Sequence, residues 1–83
     1  MIPYRLHPVE LRTELMELGD LFRAYQQRTE PDLSLLAGLH ARKAAAFASW
    51  AEVTGNPHLR READRAEQAA QTARHQHRQR SNR

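Results

Sequence analysis

The sequence predicts an all-α protein, a small antiparallel three-helix bundle built from a helical hairpin and an Ala-rich third helix, with helix 2 in the centre. Three observations lead there. Apolar residues recur at three- and four-residue steps in three successive segments. Two compact breaks, Thr29-Glu30-Pro31-Asp32 and Thr54-Gly55-Asn56-Pro57, separate those segments. The middle segment, Asp32 to Val53, carries two packable faces, as a helix between two others must.

Helix 1 is expected to start at Pro8, whose missing N–H has no partner in a first turn. Glu10 and Glu14 suit the positive end of its dipole. Leu11, Leu15, Leu18, Phe22 and Tyr25 form a heptad-type seam. Gly19 sits inside this helix at a cost of ~1 kcal/mol against Ala. Gly19 and Gly38 lie about equally far from the first break, so a close crossing is expected at their level. Pro31 pushes Glu30 out of the helical region, ending helix 1 near Arg28. Thr29 and Asp32 have capping-box spacing. So short a connection makes helices 1 and 2 antiparallel neighbours.

On helix 2, Leu35, Leu36, Leu39, Ala46, Phe47, Trp50 and Val53 share one wide face that calls for large apolar partners. Ala37, Ala41, Ala44, Ala48 and Ala51 share another, which lets a helix approach closely. Gly55 is placed to take the left-handed conformation that closes helix 2. Asn56 caps helix 3 and Pro57 starts it. The seam of helix 3 is Leu59, Ala63, Ala66, Ala70 and Ala73, so its docking site is the alanine face of helix 2.

The chain divides into a helical domain, residues 1–73, and a basic tail, residues 74–83, expected to fray or be disordered in isolation for want of apolar residues. The N-terminal arm, Met1 to Leu6, is expected to lie on the bundle through Tyr4 and Leu6. An 83-residue chain makes one domain with a modest core, and a helix 3 with one large apolar residue adds little burial. A homodimer is therefore expected. There is no cysteine, which excludes disulfides and thiolate metal sites. No apolar run approaches the ~18 residues of a membrane span, and no signal-peptide pattern opens the chain, so a cytoplasmic protein with no membrane association is expected.

The formal net charge of +3 is uneven. Residues 1–54 carry six Lys/Arg against seven Asp/Glu, and residues 55–83 carry seven Arg against three acids. The last ten residues hold four Arg, two His and no acid. Arg74, Arg78, Arg80 and Arg83 are thus candidates for contacts to nucleic-acid phosphates. Such contacts would ignore base sequence, because no helix-turn-helix signal and no aromatic interleaving accompanies them.

Nothing in the chain points to catalysis. A nucleophile needs a base and a group that orients it, and Thr13, Ser34, Ser49 and Thr54 have no such surroundings in sequence. Glu10, Glu14 and Glu17 read as a solvated flank of helix 1. No cofactor or metal is expected. His75 and His77 project about 200° apart on a helix, His40 reads as a half-buried residue bonded to a neighbour, and His7 and His58 adjoin prolines at helix starts. Trp50 and Phe47 share the large-residue face and are expected to be mostly buried, in the fold or at a dimer interface. Lys43 falls on the same face, with its ammonium at the bundle edge or paired with an acid.

Leu18-Gly19-Asp20-Leu21-Phe22 resembles the L-G-x-x-Y/F element of a tetratricopeptide repeat. The likeness covers those five residues and no second copy follows. The function these features favour is a non-catalytic protein–protein interaction module, an adaptor or regulatory subunit, acting through Phe47, Trp50 and Lys43. The alternative is an accessory nucleic-acid-binding protein that uses the Arg-rich tail.

Overall fold

The computed structural model describes residues 8–81, which form three helices and no strand. The N-terminal arm and Arg83 lie outside the described residues. Helix α1 spans Pro8–Gln26, α2 spans Leu33–Thr54 and α3 spans Pro57–Ser81. Helix α2 is central: it packs against α1 on one side and, far more extensively, against α3 on the other.

The α1–α2 layer is built of large side chains. Leu11, Leu18, Leu39 and Ala46 are buried together, with Leu15, Leu21, Phe22, Tyr25 and Trp50 packed around them. The seam expected on α1 thus faces α2 as a unit. The α2–α3 layer is built of alanine. Ala37, Ala44 and Ala51 are buried on α2, and Ala63, Ala66, Ala70 and Ala73 on α3. Methyl-sized side chains let the two helices run close along much of their length.

The breaks are closed by specific bonds. Asp32 caps α2, its carboxylate accepting from the Leu35 N–H at 3.0 Å, so Asp32 itself takes the capping role and Thr29 is not the cap. The Asp32 N–H donates to the Tyr25 hydroxyl at 3.0 Å, tying the end of α1 to the start of α2. Helix α1 ends at Gln26, two residues before Arg28, and two turn bonds follow, from Gln27 N–H to Ala24 C=O and from Arg28 N–H to Tyr25 C=O. At the second break Gly55 takes φ 68°, and its N–H closes α2 on the Ala51 carbonyl at 2.7 Å. The Asn56 side chain accepts from the His58 N–H at 2.9 Å, capping α3 as its position predicts.

Two expectations are corrected. The glycines do not mark a close crossing. A Cβ on Gly38 would meet nothing within 4 Å, and one on Gly19 would meet only the Arg23 side chain, at 3.6 Å. The close approach is that of α2 to α3, where alanine provides it. Leu35 and Val53 belong by spacing to the large-residue face yet stay 43% and 54% exposed, because they sit in the end turns of α2, where α1 leaves them open. Helix α3 runs unbroken to Ser81, so it includes most of the basic segment. Residues 74–81 contain good helix formers, Arg78 and Arg80 suit the negative end of the dipole, and Arg74, His77 and Arg78 lie beside the first turns of α2.

Candidate functional site

Helices α1 and α2 bring together the residues singled out for interaction. Phe47 and Trp50 are successive residues of one α2 face, their ring centroids 5.9 Å apart and tilted by 35°. Both are half-buried. The Lys43 Nζ lies 5.8 Å from the Phe47 centroid and 5.8 Å from that of Phe22, so the ammonium is held against two aromatic rings. No acid pairs with it among the described residues. The electron-rich ring faces take the place of the carboxylate considered from sequence.

Phe22 also packs on His40, with centroids 5.3 Å apart. The neighbour expected to bond His40 is a ring instead: the buried Nδ1 has no hydrogen-bond partner among the described residues. Burial, and then the nearby Lys43 charge, hold the His40 imidazole below the ordinary histidine pKa. Beside this aromatic row the hairpin is clamped by charge. Arg42 donates from Nε to Glu14 Oε2 at 3.0 Å and from Nη2 to Glu14 Oε1 at 2.6 Å, and its Nη2 reaches Glu17 at 3.4 Å. This bidentate pairing raises the Arg42 pKa, with the Glu14 hydrogen bond as the largest cause. Glu14 and Glu17, read from sequence as a solvated flank, are thus partners of α2.

Beyond Trp50 the hairpin opens into a groove of about 360 Å³. Leu11, Leu15 and Met16 of α1 and Trp50 and Val53 of α2 form its apolar lining, with Arg12 and Thr54 beside them. Met16 is 68% exposed and Val53 54%, so the groove has apolar lips. Sequence reasoning placed Trp50 and Val53 on one face, but assigned Met16 to no face, because it falls off the α1 seam.

The basic candidates lie elsewhere. Arg74, Arg78 and Arg80 are exposed on the last turns of α3. Arg74 reaches Glu67 at 3.4 Å. Arg74 and Arg78 line a second recess with Ser34 and Gly38, and Arg80 is not part of it. Arg83 lies outside the described residues.

Among the described residues no group of three His, Cys, Asp or Glu is placed to hold a metal ion. No described helix is long and apolar enough to cross a membrane. No protein family, no curated protein and no solved structure matches this chain.

Proposed function

We propose that the protein is a non-catalytic interaction module whose binding surface is the open end of the α1–α2 hairpin. The observation that carries this reading is the apolar groove between Leu11, Leu15, Met16, Trp50 and Val53, bordered by two large apolar side chains exposed to solvent. Apolar rims of this kind mark contact surfaces. An aromatic anchor set in a pocket is the usual centre of binding energy in an interface. The partner that fits is an amphipathic helix inserting one or two large side chains, from a second copy of the chain or from another protein. From the groove's Trp50 an aromatic row continues along α2 to Phe47, with the Lys43 ammonium over the Phe47 ring.

The test uses the exposure of the lips. Met16→Glu and Val53→Glu place charge on the groove without touching the buried cluster. Both variants should keep the helical content and melting temperature of the isolated chain. Both should abolish self-association, measured by light scattering at micromolar concentration, and capture of a host partner by the tagged chain. Self-association and capture that are unchanged in the double variant would remove this reading.

The nucleic-acid reading remains a second proposal on one observation: Arg74 and Arg78 share a face of α3, and no acid follows Glu67 in the chain. Nucleic-acid binding predicts affinity that falls steeply with salt, with a log–log slope near −0.9 per phosphate contact.

A further inference from the structure

The recess between the start of α2 and the end of α3 is a site of a different kind from the apolar groove. It is a notch of about 390 Å³ lined by Ser34, Ala37 and Gly38 of α2 and by Arg74, His77 and Arg78 of α3. Each trio has the spacing i, i+3, i+4, so each is one helix face, and the antiparallel packing sets the two faces against each other. The α2 side contributes almost no bulk, and a Cβ added at Gly38 would still meet nothing within 4 Å. The α3 side contributes Arg74 and Arg78, four residues and so about one turn apart on one face. The Ser34 hydroxyl offers a donor from the opposite wall.

Charge in and around the notch is one-sided. Residues 33–51 and 68–83 contain no acid. The nearest carboxylates are already engaged: Asp32 caps Leu35 and lies 3.9 Å from Arg28, and Glu67 faces Arg74 at 3.4 Å. Arg78 has no ion-pair partner among the described residues. The notch opens at the positive end of the α2 dipole and beside the negative end of the α3 dipole, so the two oppose each other and the arginine side chains supply the net positive field.

We propose that this notch binds a phosphate dianion, either free or as the terminal group of a small phosphate ester, with Arg78 and Arg74 as paired donors and Ser34 as the opposing donor. Arg78 carries the larger share, because Arg74 divides its guanidinium with Glu67. A notch of this volume holds more than the ion itself, so an ester has room for part of its organic group. A nucleic-acid backbone fits less well, since Arg80 projects about 200° away from Arg78 around α3.

The test is an NMR titration of the full 83-residue chain with inorganic phosphate and, separately, with glycerol 3-phosphate, against sodium chloride at equal ionic strength. Saturating shifts confined to Ser34, Ala37, Gly38, Arg74, His77 and Arg78 are expected. Arg78→Gln should weaken the response at least tenfold, and Ser34→Ala by less, both with an unchanged melting curve in chloride. Tighter binding of the ester assigns the extra room to its organic part, and equal or weaker binding assigns the site to the free ion. Shifts that fail to saturate, that spread equally to Arg12, Arg60 and Arg61, or that survive Arg78→Gln would overturn the proposal. An oligonucleotide that displaces phosphate and perturbs Arg80 as strongly as Arg78 would overturn it in favour of backbone tracking by α3.

Discussion

Helix α2 holds its two neighbours by opposite means. Toward α1 it offers Leu39, Ala46 and Trp50, and the partner answers with leucines and aromatics, so the contact is built of large side chains but is short and open at one end. Toward α3 it offers Ala37, Ala44 and Ala51 against Ala63, Ala66, Ala70 and Ala73, so each residue buries little and the contact gains from length and closeness. The first interface leaves large side chains partly exposed and borders a groove. The second buries its methyls along most of its length and opens into a notch only at the start of α2 and the end of α3. The proposed partner surface rests on the first contact, where large side chains remain partly exposed.

Opposite changes should therefore break the two interfaces, and the largest effects are expected there. Leu18 is 3% exposed within the leucine cluster, and Leu18→Ala should cost about 2–5 kcal/mol through lost burial and a cavity. Ala70 is fully buried, and Ala70→Leu should cost about 1–3 kcal/mol by forcing the helices apart. Urea denaturation of both variants measures these costs. If Ala70→Leu is tolerated without loss, α3 is loosely docked and the contrast between the interfaces fails.

Smaller effects of the opposite sign are expected at the glycines of α1 and α2. Neither Gly38 nor Gly19 has a crowded Cβ position or a left-handed backbone. Gly38→Ala and Gly19→Ala should each stabilise the chain by about 0.5–1 kcal/mol, the conformational cost of glycine in a helix. A loss on either replacement, read from the same urea curves, would mean that a close crossing exists there after all.

Which features were legible in the sequence follows from how each interface is encoded. The alanine seam is written locally, at fixed spacing on α3 and on α2, so both halves could be read and matched. Gly55, Asn56 and Pro57 were legible because each acts on its own backbone. The Arg42–Glu14 clamp and the bond from Asp32 to Tyr25 were not, since each joins residues whose meeting depends on the register of α1 against α2. The groove had the same difficulty: Trp50 could be chosen as an interaction residue, but its companions Leu11 and Met16 come from the other helix. The recess beside Arg74 and Arg78 was not legible either, since its Ser34–Gly38 wall comes from another helix.

The smallest expected effect concerns pH, and it too separates the interfaces. Titratable groups sit in or beside the α1–α2 contact, where His40 packs on Phe22 near Lys43, while the buried α2–α3 seam is alanine. Burial and the Lys43 charge oppose protonation of His40 in the folded chain, so the unfolded chain binds the proton more readily. Stability from this group is therefore complete above the ordinary histidine pKa of about 6.5 and declines as pH falls through it. Urea midpoints of the wild type should be lower at pH 5.5 than at pH 7.5, and His40→Gln should show a smaller drop. The four other histidines are common to both chains and cancel in the comparison. An equal drop in the two chains would show that protonating His40 costs the fold nothing and that its ring reaches water. A wild type that gains stability at acid pH, with the gain lost in His40→Gln, would require an acid facing His40 that stabilises the imidazolium.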